Sequence, residues 1–180
     1  MSRRELHFAP RFAISLVVLL VLSKWSPVVS HLREPLCGLW AASLARAFTW
    51  AGLAVRLDGD TVSSEGAGGG AFRIIPECDG ITLYCLFLAG VVAVPFWLGL
   101  RAWREALVGL VVLAVLNWLR LAALAVSVFS FPSAYEMVHS YILQGALILC
   151  TFVVYAAWLG RALGADRPAT GSASIEREPR

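Results

Sequence analysis

Three side chains far apart in this 180-residue chain are of types that together can carry out acyl transfer: the Cys78 thiol, the Arg120 guanidinium and the His139 imidazole. A thiol becomes a nucleophile when its thiolate is stabilised, and a helix N-terminus or a nearby cation does this. Cys78 closes a polar, glycine-rich segment and stands directly before a long apolar run, in Glu77-Cys78-Asp79-Gly80-Ile81. The sequence therefore predicts a helix starting at the thiol. Arg120 cannot act as a base near neutral pH, so its expected work is steadying a thiolate or an oxyanion. His139 has the unperturbed pKa to move a proton to a leaving amine or from an incoming nucleophile. Asn117 lies one helical turn before Arg120 and is expected to hold the guanidinium. Glu77 and Asp79 flank the thiol and oppose its ionisation. Their expected role is to cap the helix or bind backbone amides, with Asp79 and Gly80 setting its first turn.

Plainer readings stand beside these. Cys78 could pair with Cys37 in a disulfide, His139 could be an interfacial anchor, and Arg120 could meet a partner's carboxylate. An ionisable residue within an apolar span nevertheless marks a functional site by default. The four cysteines form no CxxC pair and no cluster with zinc-ligand spacing, so no metal or cofactor is expected. Gly66 to Gly70 is a loop and not a phosphate cradle, because no Gly-Lys-Ser/Thr follows it.

The elements that must position these residues follow from composition. Hydrophobic residues make up 59% of the chain and charged ones 15%, which points to an integral membrane domain and away from an ordinary soluble one. The net charge of +3 is modest and the arginines are dispersed, so nucleic acid is not an expected partner. Apolar runs at Phe12 to Val29, Ile81 to Leu100, Ala106 to Phe129 and His139 to Leu159 predict four transmembrane helices, with Pro95 kinking the second. Leu36 to Val55 reads as an amphipathic helix on the outer surface, its apolar face formed by Leu36, Leu39, Trp40, Leu44, Ala47, Trp50 and Ala51. Val55 to Val62 reads as a short β-hairpin around Asp58-Gly59, followed by an extended Phe72 to Pro76. The expected fold is thus all-α and membrane-embedded over residues 1–163, with a disordered cytoplasmic tail at 164–180.

Four spans leave the N-terminus, the Arg101 to Arg104 loop and the C-terminal tail on the cytoplasmic side, as the positive-inside rule asks. Cys78 and His139 then open spans at the outer surface. Arg120, about 14 residues into a rising helix, stands roughly 20 Å up a core about 30 Å thick. The three residues share one depth band.

Glu77-Cys78-Asp79-Gly80-Ile81, Asn117-Trp118-Leu119-Arg120 in a later span and His139 opening the next resemble the exosortase/archaeosortase family of membrane cysteine transpeptidases. The similarity runs from the first span to about Leu159, includes the Val-x-Leu-Asp-Gly hairpin, and in length is most like the compact exosortase H subtype. The resemblance implies Cys78 as nucleophile, with Arg120 and His139 as the second and third catalytic residues. It implies cleavage of a C-terminal sorting signal (short motif, span, basic tail) of exported proteins at the outer face of the bacterial cytoplasmic membrane. The acyl-enzyme would pass to an acceptor amine or to water. Asp79 departs from the family pattern, where a small neutral polar residue is common. The competing classes are a thiol redox membrane protein and a non-enzymatic membrane assembly subunit.

Overall fold

The computed structural model describes residues 5–66, 69–94 and 99–164. The predicted Pro95 kink, the middle of the Gly66 to Gly70 loop and nearly all of the C-terminal tail lie outside the described residues. In chain order the elements are α1 (Glu5–Lys24), α2 (Ser26–Val28), a π-turn (Val29–Arg33), α3 (Glu34–Trp50), β1 (Val55–Asp58), β2 (Thr61–Ser64) and β3 (Ala71–Arg73). There follow α4 (Ile81–Ala93), α5 (Gly99–Ser130), a 3-10 turn (Pro132–Ala134), α6 (Tyr135–Met137), a second π-turn (Val138–Leu143) and α7 (Gln144–Gly164).

Two helices are long and apolar enough to cross a membrane, Ala102–Ser130 and Tyr135–Ala162. A third crossing is counted if Phe8–Lys24 and Val29–Trp50, bent by 76° at their junction, form one broken span. Helix α4 is apolar but has 13 residues, roughly 20 Å of rise against a hydrocarbon core of about 30 Å. The fold thus offers two helices of membrane-spanning length and composition among the described residues, or three with the bent pair.

The bend after α1 has a local cause. Proline has no amide hydrogen, so Pro27 cannot bond the carbonyl four residues back, which is that of Ser23. The helix breaks at Trp25 and restarts as a short turn, and α3 leaves in a new direction with Pro35 in its first turn. Helix α3 buries Cys37, Ala41, Leu44, Ala45 and Phe48. The face packed against protein is not the whole apolar stripe: Leu39 and Trp50 point outward, Trp50 with 89% of its surface exposed, as a stripe turned toward lipid would be. Alanine and cysteine share the packed face with Leu44 and Phe48, while Leu39 and Trp50 are left to the surroundings.

The hairpin forms as a two-residue connection, Gly59-Asp60, with Asp58 opposite Thr61. Only Gly59 takes positive φ, +58°, so one turn residue and not two needs that freedom. The extended segment after the loop contributes a third strand, giving an antiparallel sheet in the order β1-β2-β3. Val62 and Phe72 pair across β2 and β3 and both point inward, buried. A sheet this small needs a partner surface, and α3 and α5 supply it: Leu44, Phe48, Leu121 and Leu124 join Val62, Phe72, Ile74 and Cys78 in one core.

A second core, built from Phe87, Val91, Ala106, Leu113 and Trp158, ties α4, α5 and α7 together. Helix α5 starts at Gly99, so the expected Arg101 to Arg104 loop is the first part of a 32-residue helix. It is pinned there by Trp158 Nε1, which donates to the Ala102 carbonyl at 2.9 Å.

Candidate active site

Cys78 lies in a turn whose first bond is its own amide donating to the Ile75 carbonyl at 2.8 Å. Gly80, with φ +85°, is the N-cap of α4, and the helix begins at Ile81. The thiol therefore sits two residues ahead of the N-cap and outside the helix, which corrects the expectation that the helix starts at Cys78. A side chain at position 80 would meet the Asn117 amide at 2.9 Å and the Tyr84 hydroxyl at 3.1 Å. Glycine is thus required twice over, by conformation and by space.

The Cys78 Sγ lies 3.7 Å from His139 Nε2, within reach of a thiol–imidazole hydrogen bond. His139 is carried by the second π-turn, and Tyr135, one turn earlier, stacks on its ring at 5.4 Å and 25°. Arg120 descends from α5 with 6% of its surface exposed. Its Nε is buried without a hydrogen-bond partner, and no ion pair to it forms among the described residues. Its charge acts on Cys78, Tyr135 and His139. The three residues singled out from sequence are thus brought together, and Tyr135 joins them.

The balance of effects on the thiol differs from expectation. Burial is the largest influence and pushes the Cys78 pKa up; Arg120 pulls it down, and Glu77 and Asp79 add to the rise. With the thiol 97% enclosed and the helix start displaced, desolvation outweighs the cation. Burial thus works against a preformed thiolate at Cys78.

Asn117 does not hold the guanidinium. Its Nδ2 donates to the Cys78 carbonyl at 3.3 Å, so α5 supports the turn itself, while Oδ1 has no partner. Glu77 is exposed. Asp79 does bind an amide, its Oδ1 accepting from Ile81 N at 2.8 Å, as a helix-start residue should.

Arg33 is the residue that sequence reasoning missed. Its Nε donates to Asp79 Oδ2 at 2.6 Å and its Nη2 to Oδ1 at 3.2 Å, and both side chains are 1% exposed. Nη1 donates to the Ser23 carbonyl at 3.1 Å, the oxygen that Pro27 leaves without a helical donor. Nη2 also donates to the Pro76 carbonyl. The available signal was Asp79 itself, since a carboxylate beside a buried thiol calls for a cation.

All four cysteines are free thiols. Among the described residues no group of three or more His, Cys, Asp or Glu side chains could hold a metal ion. Compared with protein-family models, with curated proteins and with solved structures, the chain finds no match in any of the three.

Proposed function

We propose that this protein is a membrane cysteine transpeptidase or peptidase of the exosortase kind, acting on a membrane-anchored protein with a C-terminal sorting signal. The observation that supports it best is the Cys78–His139 contact of 3.7 Å, within the electrostatic influence of the buried Arg120 guanidinium, which has no ion-pair partner among the described residues. A cation left without a carboxylate in a buried site is suited to a negative charge that exists only during reaction.

In this mechanism His139 Nε2 takes the Sγ proton as sulfur attacks the scissile carbonyl carbon. A C–S bond forms, and the carbonyl π electrons move to oxygen, where Arg120 stabilises the charge. Collapse of the tetrahedral intermediate breaks the C–N bond, and His139 returns the proton to the leaving amine. The thioester is then attacked by an acceptor amine or by water, again with His139 as base, and the Cys78 thiol is regenerated. Four membrane crossings, with Cys78 at the outer surface, would present this chemistry to a substrate whose own span holds the scissile bond just above the bilayer.

The test is processing of a co-expressed sorting-signal substrate. Cys78→Ala, Arg120→Ala and His139→Ala should each abolish cleavage while the protein still accumulates in the membrane. Full cleavage by Cys78→Ala overturns the proposal. A redox role keeps one observation in its favour, the electrostatic proximity of Cys37 and Cys78. Iodoacetamide applied to native membranes separates the two: a nucleophile carries the adduct at Cys78, whereas a Cys37–Cys78 disulfide blocks both positions until reduced.

A further inference from the structure

We propose that Arg33 is a positioning residue for the Cys78 nucleophile, holding the 76–79 turn in place and offsetting part of the Asp79 charge beside the thiol. The proposal rests on Cys78 acting through its thiolate.

Arg33 makes four donations to three residues: to both Asp79 carboxylate oxygens, to the Pro76 carbonyl and to the Ser23 carbonyl. Pro76 and Asp79 bracket Cys78 in sequence, so two of its anchors lie on either side of the thiol. The third lies at the proline break of α1, an element that otherwise packs along α4. Lysine cannot reproduce this arrangement, because a single ammonium has neither the fork nor the reach to serve a carboxylate and two carbonyls at once. Arg33 and His139 also share a setting: each sits in a π-turn, where the local widening re-aims a side chain away from the regular helical phase.

The second function is electrostatic. Groups facing the thiol are Arg120 from α5, His139 and Tyr135 from the segment leading into α7, Cys37 from α3, and Glu77 and Asp79 from its own turn. Asp79 is the carboxylate among them that is buried as well as adjacent. Its charge is felt at the sulfur, and the ion pair with Arg33 at 2.6 Å offsets part of it. Unpaired, it disfavours the thiolate, whereas Arg33 without Asp79 favours it.

These signs give a test that does not need the physiological substrate. The rate of Cys78 alkylation by iodoacetamide is measured against pH in the full-length membrane protein, with the adduct located by mass. Arg33→Gln should raise the midpoint by about one pH unit, near a tenfold slower reaction below it. Asp79→Asn should lower the midpoint. The double variant Arg33→Gln/Asp79→Asn should return it close to the parent value, and remains informative if Arg33→Gln fails to accumulate. Arg33→Lys should restore the midpoint only in part. Shifts of the same sign in both single variants, or unchanged midpoints, overturn Arg33's role while leaving the nucleophile intact. A Cys78 unreactive in every variant overturns both.

Discussion

A buried thiol that faces a guanidinium is pulled two ways when it ionises, and at Cys78 burial prevails. The sign of the consequence follows. Because the folded-state pKa is raised, the thiolate fraction stays small until pH passes the ordinary thiol range. The alkylation profile of Cys78 should therefore have its midpoint above that of a free cysteine. Arg120→Ala removes the main opposing influence and should move the midpoint further up, by about one unit or more. A profile matching that of free cysteine, or a downward shift in Arg120→Ala, contradicts this balance. Cys78, Arg120 and His139 were legible in the sequence because a polar or reactive side chain at the edge of an apolar run has few innocuous explanations. Asn117 was legible as a site residue but not in its contact, because its helical spacing to Arg120 does not reveal which neighbour its amide meets. Arg33 was not legible, since its partner Asp79 lies 46 residues away and the freed Ser23 carbonyl exists only once the helix has broken.

Among the elements, the turn from β3 into α4 carries the most constraint in the fewest residues. Gly80→Ala asks an L residue to hold φ +85°, which costs about 1–2 kcal/mol. It also drives a methyl group into Asn117, whose amide holds the Cys78 carbonyl. The variant should lose sorting-signal cleavage and unfold at a lower temperature, while Gly59→Ala, with open space around its Cβ, should lose stability only. Equal activity of Gly80→Ala and the parent contradicts the proposed function of the turn as the support of the thiol. The hairpin and the helical runs could be read in advance from turn residues and apolar length. The phase of α3 could not, because leucine and tryptophan mark an apolar face equally well whether protein or lipid covers it. Here Cys37, Ala41, Leu44, Ala45 and Phe48 are buried against the sheet and α5, and Leu39 and Trp50 face outward.

At the scale of the whole molecule, the two cores divide the labour. One holds the sheet, α3 and the C-terminal part of α5 around Cys78; the other joins α4, α5 and α7 around Phe87 and Trp158. Helix α5 runs through both, so its residue 120 end belongs to the site and its residue 102 to 106 end to the opposite pole. If α5 crosses the bilayer, the sheet and the Arg104 region must lie on opposite sides of it. The positive-inside rule then assigns the arginine-bearing pole to the cytoplasm and the sheet to the outside. A single cysteine introduced as Asp58→Cys, at an exposed hairpin position, should react with a membrane-impermeant maleimide added to intact cells. The same probe should reach Arg104→Cys, also exposed, only after the membrane is permeabilised. Both variants are made with Cys78→Ala, so that the site thiol does not contribute. Labelling of both positions from outside would mean that α5 does not span, and the reverse pattern would put the thiol on the cytoplasmic face. Either result removes the outer-surface substrate while leaving the Cys78–His139–Arg120 arrangement intact, so this experiment tests where the chemistry happens independently of what it is.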